Sequence, residues 1–276
     1  MTGYLGRHID FAQAAMIGRG GGARSRCPEL WRGLAAMWLP GYDGINSHDL
    51  LGRYHLTAYN TPTRAIGAMG PCMLFDDAES QYQVSATTLS VTYPVTMICW
   101  FACDDVAGNN AGTPFSLAGS GATNHYYRIA VTSGNDLYFY ARDAGGQAAC
   151  SISNVIYDDV WVHTAYVGVD KTHHAGFCNG TQKTTSATDV TPVINRAGVG
   201  SLVRSVPTSY PFSGRVAVAR VYNRACTDAA VAYDYERGWW EMLTPRPAME
   251  SMYVPSGEEP AFAGRTDRHT LCGLGV

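Results

Sequence analysis

The residues able to do chemistry are few, and their spacing limits what they could do. Glycoside hydrolysis takes two carboxylates flanking the scissile bond, one as acid and one as base or nucleophile. Yet no glutamate occurs between Glu79 and Glu236. The aspartate pairs Asp76-Asp77, Asp104-Asp105 and Asp158-Asp159 fall at the ends of apolar runs, where aspartate serves turns by accepting backbone hydrogen bonds. No Gly-x-Ser-x-Gly elbow and no phosphate-cradling glycine loop is present. His173 and His174 are neighbours in an extended run and point to opposite faces, so they do not share one metal ion. "CDDVAGNN" brings together Asp104, Asp105, Asn109 and Asn110, oxygen ligands suited to calcium, although a polar loop uses the same residues. Binding chemistry is better represented. "NHYYRIA" and "DLYFYARD" hold Tyr126, Tyr127, Arg128, Tyr138, Tyr140 and Arg142. Alternation places Tyr138 and Tyr140 on one face, a platform for a sugar ring or simply cross-strand packing.

The composition narrows the classes. Apolar residues make up 46% of the 276 positions and charged ones 16%, below the roughly 25% of soluble proteins. The net charge of −3 weighs against a general nucleic-acid binder. Positive charge is nonetheless concentrated at the start, where Arg7, Arg19, Arg24, Arg26 and Arg32 face only Asp10 and Glu29. No run approaches the ~20 apolar residues of a membrane span. The first residues lack the pattern of a secretion signal, so export by the general pathway is not expected. The eight cysteines form no Cys-x-x-Cys pair. Cys99 and Cys103 lie ~13 Å apart along one predicted strand, too far for a disulfide. Most sit among apolar neighbours and read as buried thiols.

Three zones must position these residues. Residues 1–29 are a glycine-rich basic arm, residues 30–243 a β-rich body, and residues 244–276 a proline- and glycine-rich extended tail. The body alternates short strand signals with turn signals and has no helix between them, which predicts two packed antiparallel sheets. "TMICWFAC" is apolar on both faces and belongs at the centre of a layer. "CNGT" carries Asn179-Gly180, a two-residue hairpin turn. One helix is expected in "TDAAVAYDYERGWW", capped by Thr227 or Asp228 and ended or loosened at Gly238.

Four segments in this order resemble the laminin-G-like, concanavalin A-like jelly-roll family. "SGRVAVARVYNRACTDAAVAYDYE" resembles its closing strand and helix, through Gly214, Val216, Ala219, Val221, Tyr222, Asn223 and Arg224. "DDVWVHTAYVGVDKTHHAGFCNGTQ" resembles its Trp-x-His-x-Ala hairpin, through Trp161, His163, Ala165, Asp170, Asn179 and Gly180. Near the start, "LWRGLAAMWLPGYDGINSHDLLGRYHLTAY" and "CMLFDDAESQYQV" resemble its opening strands. The resemblance implies an all-β, two-sheet jelly roll with one short C-terminal helix. It also raises calcium, which many members bind through loop oxygens. These marks report fold: Trp161 is expected to pack in the sandwich and His163 to be a satisfied buried or edge residue.

The flanks "PELWRGLAAMWLP" and "ERGWWEMLTPRP" resemble bacteriophage particle proteins carrying this domain. The first functional expectation is therefore a non-enzymatic structural protein of a virion, a head decoration or cement protein or a tail or fibre component, made in the host cytoplasm. It would assemble with itself, a trimer among the options, or with other virion proteins. The anchors would be Phe11, Arg19, Arg24 and Arg26 in one arm and Trp239, Trp240 and Tyr253 in the other. The alternative is a lectin-type carbohydrate-binding or adhesion module holding a surface glycan on Tyr126, Arg128, Tyr138 and Tyr140. No cofactor is expected other than calcium.

Overall fold

The computed structural model describes residues 27–106, 112–204 and 209–243. Phe11, Arg19, Arg24, Arg26, Asn109, Asn110 and Tyr253 lie outside them, as do the arm up to Arg26 and the tail from residue 244. Among the described residues, fifteen strands and two short α-helices follow a 3-10 turn at Pro28–Trp31. The eight-stranded sheet runs β13 (Gln182–Ser186), β12 (His173–Cys178), β11 (Trp161–Asp170), β6 (Val95–Cys103), β15 (Gly214–Tyr222), β4 (Gly70–Phe75), β3 (Thr63–Gly67), with β1 (Leu34–Trp38) also paired to β15. The seven-stranded sheet runs β10 (Gln147–Ile152), β9 (Leu137–Arg142), β8 (Tyr126–Val131), β7 (Phe115–Ala118), β14 (Arg196–Val199), β5 (Tyr82–Ser85), β2 (Leu56–Tyr59). Every pairing between these strands is antiparallel, and the sheets stack as a jelly-roll sandwich. No helix among the described residues is long and apolar enough to cross a membrane.

Alternation builds the core. Met97, Cys99 and Phe101 of β6 meet Phe115, Tyr127, Ile129 and Phe139 of the other sheet. The opposite face of β6, with Ile98 and Trp100, is buried too, in a second cluster holding Trp31, Val231, Trp239 and Met242. This is why "TMICWFAC" is apolar throughout: both faces of the eight-stranded sheet are covered where β6 runs. All seven described cysteines are buried. Burial pushes the Cys72 and Cys150 thiols up to about 11, so neither is a nucleophile at neutral pH.

In β15 the inward set is Val216, then Ala219 and Val221. A β-bulge between Val216 and Val218 inserts the extra residue. That bulge explains the uneven spacing of the closing-strand pattern. The Asn179-Gly180 turn differs from the two-residue form expected. Cys178 pairs with Gln182, so Asn179, Gly180 and Thr181 form a three-residue loop, with φ of 48° and 77° at the first two. The Asn179 amide reaches back to the His163 carbonyl (2.8 Å), and its side chain accepts from the His163 N–H (3.0 Å). Strands β3, β13 and β14 had no clear signal, because the first two are polar edges and the third has four residues.

Helix α1 (Asp228–Arg237) is capped by Thr227, whose hydroxyl accepts from the Ala230 N–H (3.2 Å). It ends at Gly238 (φ 73°), and α2 (Trp239–Leu243) follows. The helix is pinned by one acid. Asp234, fully buried, takes a bond from Arg220 Nη1 (2.9 Å) and lies 3.0 Å from His163 Nε2, both fully buried on the sheet. Burial works against the Asp234 charge, but Arg220 and His163 outweigh it and bring the carboxyl down to about 2. Burial lowers His163 despite the pull of Asp234. Its Nδ1 has no hydrogen-bond partner, so a second ring proton would be an orphaned buried donor.

Asp234→Asn leaves Arg220 buried without a counter-charge and is expected to cost about 3–5 kcal/mol, read by urea unfolding. A second expectation concerns pH. Below the unfolded histidine value of roughly 6.5, the unfolded chain takes a proton that folded His163 refuses, so stability falls as pH falls. Asp234 adds a further loss between the unfolded aspartate value of roughly 3.9 and its own low folded value. The thermal midpoint should therefore drop from pH 7 to pH 5, and less steeply in His163→Gln. An unchanged slope in that variant would remove His163 from the account.

Candidate glycan-binding face

With one sheet covered on both sides, the outer face of the seven-stranded sheet is the open one. Its outward positions include Thr57 and Tyr59 on β2, Tyr82 and Val84 on β5, Arg196 and Gly198 on β14, Tyr126 and Arg128 on β8, and Tyr138, Tyr140 and Arg142 on β9. Their alternating partners Leu56, Ala197, Tyr127, Ile129, Leu137, Phe139 and Ala141 point into the core.

A segment after β14 crosses the middle of this face. Leu202 and Ser209 exchange backbone bonds (2.9 and 3.1 Å), and Ser116 Oγ donates to the Ser201 carbonyl (2.7 Å). Leu202 and Val203 pack on Ala118 and Tyr126. The crossing is close because Gly198 lies beneath it: a Cβ there would come within 2.3 Å of a Val203 methyl. Tyr210 lies over the Arg128 guanidinium at 4.0 Å, and Arg204 stands 5.8 Å from the Tyr126 ring.

The segment decides which of the expected residues a ligand could reach. Tyr126 and Arg128 retain only 4% and 5% exposure, contrary to the exposed platform expected for them, because this crossing covers β8. Arg128 donates from Nε to Thr113 Oγ1 (2.7 Å), and burial lowers it to about 10, which leaves it charged at neutral pH. Tyr138 and Tyr140 stay half-buried and stack on each other, 5.5 Å apart and 5° from parallel. Trp239 is not available as an arm anchor either: it is buried against the chain's own sheet, with Trp240 half-buried at its edge. Asp104 pairs with Arg215 (3.3 Å), which also binds Asp159 (2.7 Å). His173 and His174 do diverge as expected, the first exposed beside Asp170 and the second buried against the Tyr166 hydroxyl (2.8 Å).

On the far side of the crossing segment lies an open cavity of about 620 Å³. Its floor is a tyrosine pair missed in the sequence. Tyr59 and Tyr82 face each other across β2 and β5, 4.9 Å apart and 3° from parallel, with Tyr59 45% exposed. Burial and the neighbouring Tyr59 raise the Tyr82 phenol, which therefore stays a neutral donor. Arg196, Asn195, Ser120 and Thr87 supply polar groups around it, Val203 closes one side, and among the described residues no carboxylate lines it. Asn195 Oδ1 accepts from the Ser120 N–H (2.7 Å). The alternation "LTAY" and "YQVS" shows that Tyr59 and Tyr82 each point outward with a partner, but not that β2 pairs with β5.

The sequence profile of the concanavalin A-like lectin/glucanases superfamily matches residues 76–232, more than half of the chain. The chain belongs to this superfamily. Among solved structures, domain 4 of the extracellular arabinanase AbnA of Geobacillus stearothermophilus, determined in complex with arabinotriose, superposes with a TM-score of 0.55 at 16% identity, over 72% of this chain and 97% of that one. The receptor-binding domain of botulinum neurotoxin mosaic serotype C/D gives 0.56 at 9% identity, over 74% of this chain and 51% of that one. At these identities the likeness is one of fold. No curated sequence is significantly similar to the chain. The matched span begins after β4 and ends inside α1, so it includes Tyr82, Arg142 and Arg196, whereas Tyr59 lies before it and Asp234 just beyond it.

Gly198→Ala should lift Val203 and the crossing segment from the sheet. A loss of about 1–3 kcal/mol in urea unfolding is expected, whereas no loss would mean that the segment does not depend on that close approach.

Proposed function

We propose that this superfamily member is a non-catalytic carbohydrate-binding module of lectin type, holding an oligosaccharide on the outer face of its seven-stranded sheet. The observation that carries the reading is the Tyr59–Tyr82 stack, exposed at the floor of a cavity ringed by Arg196, Asn195, Ser120 and Thr87. Flat apolar rings suit the C–H faces of sugars, and the surrounding polar groups suit their hydroxyls, the usual division of labour in a ligand site. The absence of carboxylates among the lining residues supports binding over hydrolysis, which takes two acids at the bond.

This places the lectin reading, second in the sequence, ahead of the virion protein. The particle reading relied on Phe11, Arg19, Arg24, Arg26 and Tyr253, which lie outside the described residues, and on Trp239, which the fold buries. Neither solved structure named above is a particle protein.

The test is a glycan array with the whole chain, followed by calorimetry on the strongest ligand. Tyr82→Ala and Tyr59→Ala should each weaken binding by about 1–2 kcal/mol, roughly five- to thirty-fold, with the fold intact by circular dichroism. Full affinity in both variants would refute the site.

A further inference from the structure

We propose that the ligand of this face is a linear anionic polysaccharide, one bearing carboxylate or sulfate groups along its length. The inference rests on the glycan reading above and names the charge and shape of what is bound.

The seven strands of this sheet contain Arg128, Arg142 and Arg196 and not one aspartate or glutamate. Register aligns two of them. Arg142 is opposite Tyr126, Tyr126 opposite Ala118, and Ala118 opposite Arg196, so Arg142 and Arg196 end one straight row across β9, β8, β7 and β14. Three inter-strand steps separate their Cα atoms by ~14 Å. The crossing segment buries the middle of that row, Tyr126 and Ala118, and there it supplies Arg204 above the Tyr126 ring. Three guanidinium groups thus follow one line over the sheet.

These charges lack acidic partners. Arg215, Arg220 and Arg237 each pair with a carboxylate. Arg142, Arg196 and Arg204 form no ion pair among the described residues. All three are half-buried, so their charge is screened less than that of a free surface arginine. The planar guanidinium fork matches a carboxylate or sulfate in two-bond geometry. With the net charge at −3, the patch is a local positive field on an acidic molecule. A polymer is favoured over a single sugar because aromatic pairs flank the row: Tyr59–Tyr82 beyond Arg196 and Tyr138–Tyr140 beside Arg142. From β2 to β9 is five steps, ~24 Å.

The experiment titrates the whole chain with homogalacturonan oligosaccharides beside their methyl esters, and with sulfated galactan oligosaccharides beside the desulfated form. Each pair keeps the sugar and removes the charge. At low salt, at least one charged form is expected to bind about ten-fold or more tightly than its neutral counterpart, with the preference shrinking as salt rises. Arg196→Gln and Arg142→Gln should each weaken it by about ten-fold, with unchanged circular dichroism. Equal affinity for charged and neutral forms, unaffected by either variant but lost in Tyr82→Ala, would overturn the anionic ligand and leave the glycan site standing. No binding of any of these sugars, together with a blank glycan array, would overturn both. Tighter binding of oligothymidylate than of every glycan would overturn the proposal in favour of single-stranded nucleic acid.

Discussion

A single buried carboxylate organises this molecule. Asp234 descends from α1 onto the outer face of the eight-stranded sheet and meets Arg220 and His163 where water does not reach. Three polar side chains at such a depth are costly unless each is satisfied, and removing one leaves the others exposed to that cost. The arrangement tolerates few alternatives: α1 must lie where Asp234 finds Arg220, and Tyr235 then stacks on Trp100 (5.8 Å, 14° from parallel). From there α2 carries Trp239, Met242 and Leu243 into the same cluster, and Trp31 closes it by donating from its indole N–H to the Met242 carbonyl (3.0 Å).

The consequence is an asymmetric sandwich. One sheet is buried on both faces and is given over to stability. The other is buried on one face, and its opposite face is the more open one. The crossing segment after β14 refines that face rather than closing it. It covers β8, anchors itself through Ser116 and Gly198, and leaves an aromatic pair on either side.

Electrostatics follow the same division. Arg215 and Arg220 of the eight-stranded sheet and Arg237 of α1 pair with Asp104, Asp159, Asp234 and Glu241. Arg142 and Arg196 on the open sheet form no ion pair among the described residues, and its strands carry no acid. On the reading proposed above, Arg142 and Arg196 beside stacked tyrosines would suit a flat, hydroxylated and negatively charged ligand.

Much of this is written locally in the chain. Alternation marks the strands, the two-sided apolar run places β6 at the centre, Thr227 caps α1, and the Asn-Gly pair turns β12 into β13. Each depends on neighbours within a few residues, and the family resemblance adds the order in which they assemble. Even there the hairpin loop came out one residue longer, because its length is set by the pairing of Cys178 with Gln182. The site is not local. Tyr59 and Tyr82 meet because β2 pairs with β5, and Arg142 and Arg196 align through two strands between them. Tyr126 and Arg128 are withdrawn by a segment seventy or more residues later in the chain. The alternation of a strand says that it has two faces. Which face is covered, and what stands beside it in the sheet, depends on long-range pairing and on where helices and crossing segments come to rest. Only the tertiary structure decides that.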